Sequence, residues 1–474
     1  MTVAVVGAGL GGLAVAARLA ALGHEVVVLE QAPAPGGKAG RLELAGRRFD
    51  TGPSLVTLPR VFEELFADTG APLGDELELL PVEPVTRYRF ADGTTVDLSA
   101  DEERSVAALE AWSRGTGEDW RAFLATCARM WRASQPFLNG PPPWPPRRRR
   151  PGEPAPDPRD LLRVRPWQTL RGLARAHARD PRLQMIIERF ATYAGADPRR
   201  APAALALAGY VEHAFGAWHV RGGVYEIVEA LARRLRSLGG ELRTSAPVRR
   251  IAVAGGRVTG VETDAETIAC DAVVANADAA TVRRDLLGEP EAAAGERSLS
   301  GFALMLAVDG SRPELTHHTI LFPPDYDAEF DDVFRARRPV RDPTLYVSVA
   351  SRTDPGEARR GEHWFVLVNA PSIGAGADWD AYESHVLERL AARGLRADVV
   401  ARAHRSPADL ERETGAPGGA IYGRAPHGRL GSLRRPGNVA RAPRGLYLVG
   451  GTTHPGGGLP LVVLSAAIVA REIG

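Results

Sequence analysis

Gly7, Gly9 and Gly12 stand in a G-x-G-x-x-G spacing, with Gly11 inside it, directly after the apolar run Val3-Ala4-Val5-Val6. Such a run suits a parallel strand covered on both faces. In the loop that follows, Gly7 permits a tight turn and Gly9 lets a pyrophosphate reach the backbone. Gly12 lets the next helix pack against the strand. Residues 13–22 are rich in Ala and Leu and continue as that helix, whose N-terminus offers free N–H groups to phosphate. Residues 25–29 read as a second strand, and Glu30 ends it. An acidic residue there accepts hydrogen bonds from both ribose hydroxyls of a dinucleotide and repels a 2′-phosphate, which speaks against NADP. The chain holds 51 glycines, so the spacing alone decides little; strand, loop, helix, strand and acid in this order decide more.

Two further stretches narrow the ligand. Gly36-Gly37-Lys38 is followed by Arg41 and by Phe49-Asp50-Thr51-Gly52-Pro53. This second glycine pair with a cation resembles the extension that lies along FAD in amine-oxidase-like flavoproteins. Near the other end, Leu446 to Val449 reads as a buried strand, and Gly450-Gly451-Thr452-Thr453-His454-Pro455-Gly456-Gly457-Gly458 as a tight loop. Residues 461–471 read as a helix, with Leu459, Pro460, Leu461 and Val462 at its start. Pro460 suits a first turn, where no N–H is missed.

The string 450–466, GGTTHPGGGLPLVVLSA, resembles the C-terminal signature of the phytoene-desaturase family, which includes the carotenoid desaturases. Segments 188–203 and 206–235 resemble that family's middle region, so the likeness touches the start, middle and end of the chain. The resemblance implies FAD held non-covalently, since no cysteine lies in the loop to tether it. It implies that Gly7, Gly9, Gly11, Gly12, Glu30, Gly37, Lys38, Val248, Asn276, Gly450, Gly451, Gly458, Leu459, Pro460, Leu461 and Val462 surround the cofactor. Backbone at Val248 would meet the adenine, and the turn at Asn276 the phosphates or ribityl chain. It further implies a carotenoid or isoprenoid substrate, oxygen or a quinone as electron acceptor, and a membrane surface as partner. The segment ATYAGADP and the short chain lean towards hydroxycarotenoid 3,4-desaturases.

The positioning elements follow. The reading is α/β: an FAD-binding Rossmann-like domain with a parallel sheet, from 1–70, 208–290 and 430–474, plus an α+β substrate domain from 71–207 and 291–429. Residues 80–98, 302–310, 344–350 and 363–370 read as strands of an antiparallel sheet, and 101–205 as mostly helical, interrupted at 136–158. That interruption is Pro-rich and carries Trp144 and four arginines at 147–150. It reads either as a solvated linker or, with Phe137 and Trp167, as a membrane-surface contact. Net charge of +1 gives no basis for nucleic-acid binding, and two cysteines, Cys127 and Cys270, support neither a disulfide framework nor a metal site. The chain opens on a structural strand, which leaves no room for a signal peptide, and no apolar run reaches the ~20 residues of a membrane span. A cytoplasmic protein on the membrane surface is the expectation.

Desaturation removes a hydride and a proton from adjacent carbons, and a polyene offers no charge to grip, so an apolar cavity is required. The family's acid–base pair matches Arg159-Asp160, although Asp160 equally suits the N-cap of a helix 160–175. His454 reads as loop architecture or as a base near the cofactor; Tyr193 and Trp218 as cavity lining or as core. A carotenoid ketolase, oxidase or saturase shares the flavin motifs. A prenyl-binding escort protein on the same fold would lack the intact flavin site, and an amine oxidase would need an aromatic cage.

Overall fold

The computed structural model describes residues 1–142, 157–290, 295–358, 361–428 and 431–474. Its first sheet has five strands in the order Leu446–Leu448, Ala272–Ala275, Thr2–Val6, Glu25–Leu29 and Glu241–Arg243, all parallel. Pleating divides each apolar run between two cores. Val3 and Val5 face the helices Leu10–Ala21, Tyr225–Ser237 and Leu459–Ile473, while Ala4 and Val6 face Ile251, Val258 and Val261 of a small antiparallel sheet. Burial on both faces is why these strands read as unbroken aliphatic runs.

The register of this sheet sets the site. Val6 lies opposite both Leu29 and Ala275, and Ala275 lies opposite Leu448. The next residue along each strand is therefore at one edge: Gly7, Glu30, Asn276 and Val449. Strand order reverses at Thr2–Val6, and the crevice beyond such a reversal is where open α/β sheets bind ligands.

A second sheet has seven strands in the order Asp398–Arg405, Ser300–Asp309, Glu362–Ala370, Leu345–Ser348, His318–Leu321, Thr86–Arg89 and Thr95–Leu98. Its pairings are antiparallel except one, since Thr86–Arg89 runs parallel to His318–Leu321. The expected purely antiparallel sheet is corrected here. The hairpin 86–98 is antiparallel within itself and joins the sheet through Thr86–Arg89. Phe302, Leu304 and Leu306 pack under the helix Trp379–Ala392, whereas Ala303 and Phe365 face the other way, towards a cavity between the sheets.

Helices Glu102–Trp112, Thr116–Leu138, Leu170–His177 and Pro181–Glu188 enclose Trp120, Phe123, Leu173, Ile187 and Phe190. The long helix passes through Pro136 and stops at Leu138, just past the expected break. The expected helix 160–175 is two helices, Pro158–Arg163 and Leu170–His177, separated at Arg165, whose φ is +54°. Asp157 rather than Asp160 caps the first of them, accepting from the Arg159 N–H at 2.8 Å. Trp144 and the arginines at 147–150 lie outside the described residues. Among the described residues no helix is long and apolar enough to cross a membrane.

Candidate functional site

At the carboxyl edge of the parallel sheet, backbone and ligand space compete for the same volume. Gly7 has φ of +94°, which only glycine adopts readily. A Cβ on Gly12 would lie 2.0 Å from the Gly7 carbonyl, so Gly12 lets the helix Leu10–Ala21 begin this close to the strand. Cβ atoms at Gly9, Gly11 and Gly450 would all strike the Asn276 amide, at 2.7, 2.8 and 2.9 Å. Asn276 donates to the Gly7 carbonyl at 3.3 Å and so ties the two strand ends together. Glu30 is buried, and its carboxylate accepts from the Ala8 N–H at 2.7 Å and the Ala32 N–H at 2.9 Å.

The loop Gly36-Gly37-Lys38 is held from below by Arg405, which donates to the carbonyls of Gly37, Lys38 and Thr51 and pairs with Glu413 at 2.7 Å. Lys38 donates to the Ile421 carbonyl at 2.6 Å. Burial pulls its ammonium down to about 8, against the attraction of Asp278. Asp50 of the motif Phe49–Pro53 accepts from the Val224 and Tyr225 N–H groups at 2.6 and 3.0 Å, fixing the start of the helix Tyr225–Ser237. Burial pushes its carboxyl up to about 6.

The C-terminal loop is braced by Ser465 and Asn438, which donates to the Leu448 and His454 carbonyls at 3.2 and 2.9 Å. His454 reaches the Gly140 carbonyl at 3.1 Å, pinning the loop to the end of the long helix. Burial drives its imidazole down to about 4, so the ring is neutral at pH 7 and its role is architectural. The helix Leu459–Ile473 carries Pro460 in its first turn and aims its N-terminus at the cavity. Arg435, half-buried and lowered to about 10 by desolvation, donates to the carbonyls of Gly451 and Tyr422, adding positive potential there.

These loops share one cavity of about 770 Å³. Gly7, Gly9, Gly11, Glu30, Gly37, Lys38, Val248, Asn276, Gly450, Gly451, Gly458, Leu459, Pro460, Leu461 and Val462 all line it, and Gly12 stands behind them. The cavity continues between helices and second sheet, past Trp131, Phe137, Leu161, Leu205, Ile320 and Phe365. Tyr193 lines it too, whereas Trp218 packs into the first core and donates its indole N–H to the Phe215 carbonyl. Neither Arg159 nor Asp160 reaches it. Asp160 is paired with Arg163 at 2.6 Å and lines a separate pocket beside Arg129. The acid–base pair expected at Arg159-Asp160 is therefore not brought to the cavity. Arg405, Asp278, Arg435, Arg189 and Glu212 do line it without having been anticipated; Arg405, Arg435 and Glu212 have partners remote in sequence, while Asp278 accepts from the Ala280 N–H and Arg189 donates to Tyr193.

The donor set fits FAD. A buried carboxylate stands where an adenosine ribose would bind, a Cβ-free cradle where the pyrophosphate would pass, and two helix N-termini face one cavity. No cysteine lines that cavity among the described residues.

The family described as flavin containing amine oxidoreductase matches residues 10–304. A hydroxyneurosporene desaturase from Rubrivivax gelatinosus is 37% identical, covering 99% of this chain and 93% of its own length. A 1-hydroxycarotenoid 3,4-desaturase from a Flavobacterium species is 30% identical, covering 99% of this chain and 97% of its own. A solved oxidoreductase from Methanosarcina mazei superposes with a TM-score of 0.67 at 19% identity, over 99% of this chain and 100% of the other, a likeness of fold.

Gly9 has φ of −69°, so a side chain there meets no backbone strain, only the lack of space. Gly9→Val is expected to lower bound flavin from about one per chain to under a tenth, read from the visible-to-protein absorbance ratio. Stoichiometric flavin in that variant would contradict the cradle. His454 generates a second expectation. The unfolded chain takes up its proton near pH 6.5 but the folded chain only near 4, so stability falls as pH drops through that window. The loss attributable to this ring is at most about 3 kcal/mol. In denaturant titrations at pH 7 and pH 4.5, His454→Asn should narrow the gap between midpoints; an unchanged gap contradicts the assignment.

Proposed function

Because this chain belongs to the carotenoid-desaturase group of the flavin containing amine oxidoreductases and is an FAD-dependent oxidoreductase, we propose that it introduces a C=C bond into a hydroxylated acyclic carotenoid. The observation that carries this reading is one cavity whose one end is a dinucleotide cradle and whose other walls are mainly aromatic and aliphatic. When bound, FAD supplies a hydride acceptor at N5. The chain's own part is to hold it non-covalently through Gly7, Gly9, Glu30, Lys38, Val248, Asn276 and the loop 450–458, to exclude water, and to lay a polyene alongside. The N-terminus of the helix Leu459–Ile473 and the half-buried Arg435 hold that end of the cavity at positive potential. Hydroxylated carotenoid substrates are named for both relatives above, and these names support the reading. The final electron acceptor in this proposal is oxygen or a quinone.

The substrate would enter from a membrane surface. Leu161 and Val164 line the cavity, while Leu162 and Trp167 beside them are more than half exposed, at 59% and 56%. Arg163 and Arg165 border this apolar patch in the same stretch of chain, and Phe215, also exposed, packs against the cavity-lining Trp131. Exposed aromatics among arginines suit an anionic interface.

The test is expression in bacteria that each accumulate one acyclic carotenoid, with the pigments analysed by absorbance and mass. Loss of two hydrogens with a red shift, in the host that makes a hydroxylated carotenoid, is the expected result. Gain of oxygen, or gain of two hydrogens, would replace the reading with a ketolase or oxidase, or with a saturase.

A further inference from the structure

We propose that the pocket beside the helices Thr116–Leu138 and Pro158–Arg163 binds the phosphate group of an anionic phospholipid. The inference rests on the reading of a polyene substrate drawn from a membrane, and adds to it the lipid chemistry that seats the protein there. The pocket has a volume of about 650 Å³ and shares no lining residue with the cofactor cavity. Among the described residues four arginines line it, Arg129 and Arg132 from the long helix and Arg163 and Arg165 from the stretch that follows Asp157. They stand against one carboxylate, Asp160, which Arg163 already occupies at 2.6 Å. Met130 and Ala133, both buried, give the pocket an apolar floor.

The charge of this pocket is uncompensated. Many arginines of the fold meet a carboxylate, as Arg171 meets Glu188 at 2.6 Å and Arg199 meets Asp197 at 2.8 Å. Among the described residues Arg129, Arg132 and Arg165 pair with none. Arg129 donates to the Thr126 hydroxyl at 3.0 Å, one helical turn away, and Arg165 to the Gln168 amide oxygen at 3.2 Å. Arg129 and Arg165 also converge on one neighbourhood: burial lowers the His177 imidazole, and both guanidiniums lower it further. The chain as a whole carries a net charge of +1, so this excess is local. Like charges gathered around one space repel each other, and an anion placed between them removes that cost. A phosphate suits the set because its oxygens accept from two guanidinium forks at once.

The occupant is a lipid rather than a free phosphate because the rim is apolar and faces outward. Leu162 and Trp167 line the pocket and are both more than half exposed. An aliphatic side chain and an indole at the edge of a basic pocket suit the boundary between headgroups and acyl chains. The stretch 161–165 is also a partition: Leu161 and Val164 line the cofactor cavity, while Leu162, Arg163 and Arg165 line the pocket. A headgroup held on one side therefore keeps the bilayer against the stretch that walls the cavity, and a polyene dissolved in that bilayer has a short way in.

The experiment is cosedimentation of the flavin-loaded protein with vesicles of phosphatidylcholine, alone or mixed with phosphatidylglycerol, at constant ionic strength. A basic side chain close to an anionic surface is worth roughly fivefold in affinity. Arg129→Gln/Arg132→Gln is therefore expected to weaken binding to the mixed vesicles about 25-fold and to leave binding to phosphatidylcholine alone unchanged. Arg129→Lys/Arg132→Lys keeps the charge but not the fork, and should still lose about fivefold. Arg250→Gln/Arg257→Gln, on the small antiparallel sheet, alters net charge equally and should cost less than about twofold. All four of these arginines are exposed, so the variants should keep their flavin, which the visible-to-protein absorbance ratio checks. Equal losses in the two glutamine pairs, or a lysine pair that binds like the unaltered protein, would make the attraction diffuse and overturn the pocket. Equal binding to both kinds of vesicle overturns it too, and displacement by millimolar inorganic phosphate overturns the lipid as its occupant. No carotenoid enters this measurement. Oxidation of a hydroxylated carotenoid in detergent, by a protein that ignores phosphatidylglycerol, removes the pocket and leaves the desaturase reading; the expected lipid binding with no carotenoid oxidised keeps the pocket and removes that reading.

Discussion

Everything in this molecule depends on one steric constraint, the alignment of strand ends along the carboxyl edge of the parallel sheet. Because Val6, Leu29, Ala275 and Leu448 are in register, the residues after them meet at a single edge. That edge has no spare volume: the Asn276 amide lies within 3 Å of where Cβ atoms would stand on Gly9, Gly11 and Gly450. Glycine at those positions is therefore the condition for backbone N–H groups to approach a pyrophosphate. The other devices hold this edge still. Arg405 fixes the loop of Gly37 and Lys38, Asp50 fixes the helix Tyr225–Ser237, and Asn438 with Ser465 fixes the loop that returns from the far end of the chain.

The remainder of the fold supplies a second, opposite environment. The seven-stranded sheet and the helical region enclose a largely apolar space that shares its volume with the cradle. An apolar wall tolerates ionised groups only when they are matched. Here Arg189 and Glu212 are matched through Tyr193, which accepts from the first and donates to the second.

Much of the cradle was legible in the sequence because its signals are local. An aliphatic run, glycines at fixed offsets and an acid at the end of the second strand are contiguous, and each has one physical reason to be there. The strand Asp398–Arg405 was not legible: it lies at the edge of its sheet, alternates small and charged residues such as Ala401 with Arg402, and looks like exposed loop. Asp160 shows the limit at the site itself. Its position on a helix was readable, but not which side of that helix the cavity would occupy, and the structure turns Leu161 inward and Asp160 towards Arg163. Arg405, Arg435 and Glu212 act through partners far along the chain, so only the assembled fold reveals them.

The central claim is that one enclosed volume brings FAD and a polyene into contact. The measurement that tests it most directly is anaerobic mixing of the flavin-loaded protein with a single hydroxylated acyclic carotenoid, recording the flavin and polyene bands together. The account predicts that the flavin bleaches in step with a red shift of the polyene, one flavin for each new double bond. A flavin that stays oxidised while the polyene binds unchanged would contradict it.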